Sequence, residues 1–175
     1  MHTKPHNILA IIPGTKYLGV AIFVDADLRD WFVKSIPNRS IKEKAEYVKE
    51  YLNLVAERFQ INVLAIKKLH KSRQSKNLSE LAAGIKEAQK KLNVSVREFP
   101  LHELEQFLVQ GKPNKKKLIE EVAQLYPVVI HEYEREKKNK SRYLTRMFEA
   151  IALGIVCFNH IERETTKVAK KCKQS

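Results

Sequence analysis

The sequence predicts an α/β domain in which helices cover both faces of one mixed sheet. Two apolar runs within residues 7–23, NILAIIPGTKYLGVAIF, are separated by a single turn, which is typical of a buried hairpin. A third apolar strand follows the hairpin closely. Beyond it, amphipathic helices alternate with short apolar strands, an order typical of sheets with both antiparallel and parallel neighbours.

The first three strands are expected to form an antiparallel meander. Residues 8–12 and 18–24 are almost wholly apolar, as strands buried on both faces are. Pro13 presets the φ angle for a turn, and Gly14 accepts the positive φ that many turns require. Residues 30–36 (DWFVKSI) then predict the third strand.

A capping box predicts the start of the first helix. Ser40 and Glu43 are spaced so that each side chain satisfies a free backbone N–H group of the other. Apolar residues recur at helical spacing to about Phe59. Residues 62–66 (NVLAI) predict a short buried strand that runs parallel to the first strand, because it follows a helix.

The remaining elements are predicted from helical spacing and from turn residues. Asn77 is the expected cap of a second helix that ends near Leu92, and residues 94–99 predict the fifth strand. The later expectations are a short helix from Pro100 to Leu108, a helix that begins at Lys115 and ends at Pro127, an extended stretch at 128–131, a charged connector at 132–142 and a last helix at 143–164.

Composition indicates a polyanionic partner. The chain has 33 Lys and Arg residues against 20 Asp and Glu residues, which gives a formal net charge of +13. An excess of this size attracts nucleic acid. A lysine-rich surface that serves only solubility is the alternative explanation of the charge.

Cysteine usage and the apolar runs predict the compartment. Cys157 and Cys172 form no CxxC motif, and no His lies near them at metal-ligand spacing, which favours a reducing environment. The sequence has no signal-peptide pattern and no run of about 18 apolar residues. We therefore expect a soluble, cytoplasmic protein without a membrane partner.

Six segments in register resemble one protein family. ILAIIPGTKYLGVAIF, FQINVLAIKKLH, LSELAAGIKEA, VREF, GKPNKKKLIEEVA and EAIALGIV follow one another as in RuvC-type Holliday junction resolvases of the RNase H-like superfamily. The resemblance implies a five-stranded RNase H-like sheet in the order 32145, and homodimers that bind branched DNA. We expect one RuvC-like domain at residues 1–162 and a basic tail without folded structure at 163–175.

The sequence departs from that family at most of the positions that hold its metal ions. The family cuts phosphodiesters with Mg²⁺ held by four carboxylates. Ile12 stands where the family has an Asp before the Pro-Gly turn, and Lys67 stands where it has a Glu at the exit of the fourth strand. In the last helix Arg146 replaces one Asp, and Glu149 replaces another. The family's basic residue at the start of the preceding helix is kept as Lys115.

These changes predict a site without Mg²⁺. Two-metal phosphoryl transfer needs several anionic oxygens within about 4 Å of both ions, and we expect Glu149 to pair with Lys67 or Arg146 instead. Glu98 at the end of the fifth strand could join Glu149, but two carboxylates beside two cations would remain a poor Mg²⁺ site. No catalytic residue, metal or cofactor is therefore expected, and Mg²⁺ would be needed only by a nuclease.

Two basic clusters are expected on the face where the family's substrate lies. Lys67, Lys68, Lys71 and Arg73 follow the fourth strand, and Lys112, Lys115, Lys116 and Lys117 open a helix. Phosphate contacts from these side chains would bind nucleic acid without reading its sequence. The leading hypothesis is a catalytically inactive nucleic-acid-binding protein, with DNA favoured over RNA.

Two alternatives stay open. The first is a divergent metal-dependent endonuclease that cuts Holliday junctions or related structures with a rebuilt site. The second is a protein-interaction scaffold on a RuvC-like dimer, in which the basic clusters are solvated faces and the connector is a docking segment.

Two further features are assigned structural roles. His70 lies near the expected site, but a lone His in a basic loop is predicted to be solvated. Trp31 and Phe32 are predicted to pack at an edge strand, because no second aromatic residue accompanies them at strand spacing.

Overall fold

A computed structural model describes residues 4–139 and 142–172, without the side chains of Arg73, Arg142, Lys171 and Cys172. Five strands form one sheet: β1 (Asn7–Ile12), β2 (Tyr17–Val24), β3 (Asp27–Ser35), β4 (Val63–Lys67) and β5 (Ser95–Phe99). Their order across the sheet is β3-β2-β1-β4-β5. This order confirms the predicted 32145 sheet.

Helices cover both faces of the sheet. In the described residues they are α1 (Ile41–Arg58), α2 (Lys76–Leu92), α3 (Leu101–Leu108), α4 (Lys115–Leu125), α5 (Ile130–Asn139) and α6 (Arg142–Cys172). Short 3-10 helices at Lys71–Arg73 and Pro127–Val129 lie between them. The α/β class and the two-sided helical cover agree with the prediction.

The carboxyl ends of three strands meet at one edge of the sheet. β2 pairs antiparallel with both β1 and β3, whereas β4 runs parallel to β1 and β5 runs parallel to β4. Ile11 lies opposite Ile66, and Lys67 lies opposite Phe99. We call this the carboxyl edge, and it is the edge at which open sheets place their chemistry.

Alternate side chains of one strand enter two different hydrophobic cores. Ile8, Ala10 and Ile12 face the core that contains α3, α4 and α6. Leu9 and Ile11 face the core that contains α1 and α2. Because successive side chains of a strand point to opposite faces, the position of a residue along its strand decides which layer it contacts.

Helix α6 crosses one face of the sheet at close range. Gly19 of β2 makes this approach possible, because a Cβ there would lie 2.1 Å from the carbonyl oxygen of Arg146. By length and composition, the part Tyr143–Lys170 could cross a membrane, but 72% of its most apolar window is buried in the protein. Packing in the core therefore accounts for its apolar character.

Capping side chains set two helix starts. The predicted capping box is present, since the Glu43 N–H donates to Ser40 Oγ at 3.4 Å and the Ser40 N–H donates to Glu43 Oε2 at 3.0 Å. Helix α2 is capped by Ser75, whose Oγ accepts from the Leu78 N–H at 3.2 Å. The prediction of Asn77 as the cap is wrong, because the Ser75 hydroxyl satisfies a free N–H group of the first turn and the helix begins at Lys76.

The segment after α4 is helical, although the sequence predicted an extended stretch at 128–131 and a connector at 132–142. It runs through a 3-10 turn into α5, and residues 140 and 141 lie outside the described part. Trp31 of β3 donates from Nε1 to Glu132 Oε1 at 3.2 Å, which ties α5 to the sheet. This contact joins residues far apart in the sequence, so no local pattern announced it.

The predicted unstructured tail at 163–175 is also helical as far as Cys172; residues 173–175 lie outside the described part. Arg97 of β5 holds this extension of α6, donating from Nη1 and Nη2 to the two Glu164 carboxylate oxygens at 2.9 and 2.7 Å. The composition of this segment predicted an unfolded tail, because its anchoring partner, Arg97, lies in a distant strand and is not visible in the local sequence.

Candidate functional site

The candidate site lies where α6 passes over the carboxyl edge. Ile12 ends β1 and is 1% exposed, and Lys67 ends the neighbouring β4. Helix α6 presents Glu149 to this edge, and Glu149 is the one charged residue among the buried residues described. Helix α4 begins beside it with Lys115.

Two ammonium groups hold the Glu149 carboxylate. Lys67 Nζ donates to Oε2 at 2.8 Å, and Lys115 Nζ lies 2.9 Å from Oε1. The Glu149 side chain is 3% exposed, while the Lys67 and Lys115 side chains are 20% and 53% exposed. We call these three residues the Glu149 triad. Its net charge is positive, so the fold buries an acid here without creating a negative site.

The triad keeps Glu149 ionised. Burial by itself raises the pKa of the Glu149 carboxyl, because it disfavours the charged form. The charges of Lys67 and Lys115 and their hydrogen bonds outweigh burial, so the pKa lies below its ordinary value. Glu149 is therefore a carboxylate at neutral pH, with both oxygens already engaged.

The start of α4 explains the position of Lys115. Asn114 caps the helix, and its Oδ1 accepts from the Lys117 N–H at 2.9 Å. Three consecutive lysines then occupy the first turn, where cations oppose the helix dipole. The ion pair with Glu149 offsets this cost for Lys115, while Lys116 and Lys117 remain exposed.

Arg146 has a different partner from the one the sequence allowed. Its Nη1 donates to the carbonyl oxygen of Pro13 at 3.1 Å. The guanidinium also lies against Gly14, where a Cβ would be 2.4 Å from Nη1. The expected pairing of Glu149 is thus confirmed with Lys67, while Arg146 holds the turn between β1 and β2.

Glu98 does not join Glu149. It lies opposite Ile66 in the sheet register, one residue before the position opposite Lys67. Its side chain forms an ion pair with Lys86 of α2, which packs on the other face of the sheet. The alternation of side chains along β5 is the physical reason, because it sends Glu98 to the layer opposite α6.

The other residues of the two basic clusters follow the end of β4 or lie at or just before the start of α4, close in sequence to Lys67 or Lys115. Lys68, Lys71, Lys112, Lys116 and Lys117 are all exposed, and the side chain of Arg73 lies outside the described part. His70 is exposed, and its Nδ1 lies 2.6 Å from Ser72 Oγ. The structure thus joins the clusters through Lys67 and Lys115.

The donor set at this edge does not fit Mg²⁺. In the described part of the chain, no group of three or more His, Cys, Asp or Glu side chains could hold a metal ion. The Ile12 side chain offers no oxygen, and both Glu149 oxygens contact ammonium groups. Unit charges about 4 Å apart repel by about 4 kcal/mol at a dielectric near 20, and a divalent ion doubles that figure.

Sequence reasoning missed one feature of this edge, which is a pair of exposed tyrosines. Tyr17 opens β2, and Tyr143 lies in the first turn of α6. Their ring centroids are 5.1 Å apart, and the ring planes meet at 84°. The two residues are far apart in the sequence, so their contact depends on how α6 crosses β2, and no local pattern signals it.

No protein-family model matches the sequence, and no curated protein matches it. Solved structures share the fold. Thermus thermophilus RuvC in complex with a Holliday junction substrate matches with a TM-score of 0.69 at 17% identity, over 89% of this chain and 96% of that chain. A second Thermus thermophilus RuvC structure matches with a TM-score of 0.65 at 16% identity, over 86% and 95%.

The yeast mitochondrial Holliday junction resolvase Ydc2 also matches, with a TM-score of 0.62 at 13% identity, over 95% of this chain and 84% of that chain. Together these likenesses confirm the predicted RuvC-type, RNase H-like fold. At identities of this size they establish the fold alone, so the function has to be argued from the site.

Proposed function

We propose that this chain is a catalytically inactive RuvC-type protein that binds nucleic acid, DNA in preference to RNA, through phosphate contacts. The contacting side chains come from the two basic clusters at the carboxyl edge. They are Lys67, Lys68, Lys71, Arg73, Lys112, Lys115, Lys116 and Lys117.

The main observation behind the proposal is that one lysine from each basic cluster forms an ion pair with the same buried carboxylate, Glu149. Lys67 ends β4, Lys115 opens α4, and Glu149 holds both ammonium groups within 2.9 Å. This arrangement fixes the two elements relative to each other. In this proposal, the exposed lysines that flank each of these elements act together as one positive surface, which suits a phosphate backbone.

The proposal that chemistry is lost rests on the same residues. A two-metal reaction needs carboxylates that converge on both ions. Here two ammonium groups hold a single carboxylate, and the strand beside Lys67 ends in an apolar residue, Ile12. The rival reading, a metal-dependent endonuclease, is favoured by one fact: Glu149 lies at the carboxyl edge of a fold that is shared with junction resolvases.

Salt-dependent binding tests the proposal directly. The triple variant Lys115→Ala, Lys116→Ala, Lys117→Ala should lower affinity for all sequences alike. It should also flatten the slope of log K against log salt by up to about 2.7 for duplex DNA, at about 0.9 per lost phosphate contact. A matched control removes Lys86, Lys90 and Lys91, which carry the same charge on α2, and it should change the slope much less.

The assay uses labelled four-way junction, linear duplex and single strands of DNA and RNA, with Mg²⁺ present and a denaturing gel for products. Binding without cleavage supports the proposal. Mg²⁺-dependent cleavage that Glu149→Gln abolishes would establish the endonuclease instead. A flat salt profile, or equal losses in the two triple variants, would refute phosphate contacts at this edge and favour a protein-interaction scaffold.

We also propose that the binding form is a homodimer, which the resemblance supports, and that it is cytoplasmic, which the cysteine usage supports. Light scattering of the purified chain, alone and with the junction, tests the oligomeric state. A monomer in both samples would contradict the dimer and leave the phosphate contacts to be judged from the salt profile.

A further inference from the structure

Two exposed tyrosines stand out on the surface of the described part. Its exposed large apolar side chains are Tyr17, Leu54, Leu125, Val128, Ile130, Tyr143 and Val168. Two of these seven are aromatic, and these two contact each other. Tyr17 is 37% exposed and Tyr143 is 38% exposed. Water therefore reaches an aromatic pair that a core would normally bury.

The pair lies next to the candidate site. A Cβ on Gly14 would lie 2.5 Å from the carbonyl oxygen of Tyr17 and 2.4 Å from Nη1 of Arg146, so the start of β2 lies directly beside the turn that Arg146 holds. On α6, Tyr143 precedes Glu149 by six residues, about 9 Å along the helix axis. That length corresponds to about three nucleotides at the rise of a duplex strand, and to fewer in an extended strand.

The rings are held in place. The Tyr143 hydroxyl donates to the carbonyl oxygen of Val33 in β3 at 3.4 Å. The edge-to-face contact then fixes Tyr17 against Tyr143. Rigid aromatic side chains lose little conformational entropy when a ligand stacks on them, which favours binding. Trp31, in contrast, packs against the core and donates its N–H to Glu132.

We infer that Tyr17 and Tyr143 form a stacking platform for an unpaired base of a nucleic acid whose phosphates lie on the basic clusters. This inference rests on the proposed function and adds a preference to it. Phosphate contacts alone do not distinguish paired from unpaired strands, whereas every unpaired base offers a face for stacking. The pair would therefore favour single strands and the open bases of a branched substrate over uninterrupted duplex.

The test compares ring removal with ring retention in the full chain. Tyr17→Leu and Tyr143→Leu remove a stacking ring and keep apolar bulk, while Tyr17→Phe and Tyr143→Phe keep the ring. Binding of a labelled oligothymidine strand and of a duplex of equal length is followed by fluorescence anisotropy over a range of salt concentrations. The Leu variants should bind the single strand about fivefold or more weakly, the effect of losing one base–aromatic stack.

Charge is unchanged in all four variants, so the slope of log K against log salt should stay as in the unaltered protein. Duplex affinity should also stay unchanged. Tyr17→Phe keeps the ring and should bind the single strand as the unaltered protein does, whereas Tyr143→Phe keeps the ring but loses the hydrogen bond to Val33 and should fall between the unaltered protein and Tyr143→Leu. A strand that carries 2-aminopurine gives a second readout, because stacking on a ring quenches its fluorescence. The quenching should be lost in Tyr17→Leu.

Three results would overturn the inference. The Leu variants could bind the single strand normally while melting at a lower temperature, which would make the pair purely structural. They could lose affinity equally for strand and duplex. The unaltered protein could bind no nucleic acid at any salt concentration, in which case the proposed function fails as well. In the first two cases, salt-dependent binding by the unaltered protein would leave the proposed function standing.

Discussion

Replacing Glu149 by Gln should destabilise the protein and strengthen its binding to nucleic acid. The amide keeps the shape of the side chain and removes its charge. Lys67, which is 20% exposed, then loses its anionic partner, while Lys115, at 53% exposed, can turn its ammonium toward water. The two lysines should therefore contribute unequally to the cost.

The magnitude follows from the burial of each partner. Breaking a buried ion pair costs about 3–5 kcal/mol, because an uncompensated charge remains. The exposed pair with Lys115 contributes at most about 1 kcal/mol. Because Lys67 is partly exposed, the total loss of stability in Glu149→Gln should lie near the lower end of the range of about 3–5 kcal/mol. A loss of about 3 kcal/mol lowers Tm by roughly 6–12 °C in a domain of this size. Adding Lys67→Met to Glu149→Gln should recover part of the loss.

The pH dependence of stability gives an independent check. The pKa of Glu149 is lowered in the folded state from its ordinary value of 4.5. The contribution of Glu149 to the free energy of unfolding is therefore complete above pH 4.5 and is lost as the pH falls through the folded-state pKa. Denaturant titrations at several acidic pH values should show that the difference between the unaltered protein and Glu149→Gln shrinks as pH falls below about 4.5.

The affinity of Glu149→Gln for nucleic acid should rise, whereas its stability falls. Glu149→Gln removes the anion that competes with phosphates for Lys67 and Lys115, so affinity should rise and the salt slope should steepen by up to about 0.9, the value for one charge. Anisotropy titrations on the folded variant, well below its Tm, measure this change. Weaker binding, or an unchanged Tm, would refute the reasoning from the triad. Loss of a Mg²⁺-dependent cleavage activity would show that Glu149 serves catalysis.

Two further predictions concern the core around α6. Gly19→Ala should cost about 3 kcal/mol or more, because its Cβ would collide with the backbone of α6 at Arg146. Gly111→Ala is the control, since the added Cβ would have no atom of the described chain within 4 Å beyond the chain neighbours of Gly111. Its φ of +81° opposes the change by about 1–2 kcal/mol. Equal melting temperatures for the two variants would contradict the close approach. Burial raises the pKa of Cys157 to about 12, so in a Cys172→Ser background the Cys157 thiol should resist alkylation at neutral pH until the chain is denatured. Rapid labelling of the native protein would argue against the buried position.

Local patterns in the sequence predicted the elements near the site well. The apolar runs of β1 and β2 and the capping box at Ser40 are confirmed by the structure, because each depends on neighbours along the chain. The predictions were wrong where long-range contacts decide. Helix α5 is held by a hydrogen bond from Trp31 to Glu132, and the end of α6 is held by Arg97.

For the candidate site, the sequence pointed to Glu149 and Lys67 but did not choose between the partners of Glu149, and it did not predict the ion pair with Lys115. It left Glu149 to pair with Lys67 or Arg146 and allowed Glu98 to join them. The register of β5 sends Glu98 to Lys86, and the path of α6 aims Arg146 at Pro13. A shift of one residue along a strand moves a side chain to the opposite face of the sheet. The sequence does not give the pairing register of neighbouring strands, so it does not show which side chains meet.

The sequence by itself determined the class of the fold, the positive charge and the residue types that end the strands at the carboxyl edge, because residue types and their periodicity along the chain encode these properties. The tertiary structure decided that Lys67 and Lys115 share one buried carboxylate and that Tyr17 contacts Tyr143. These contacts join β4, α4, β2 and α6, whose relative positions follow from how the helices pack on the sheet.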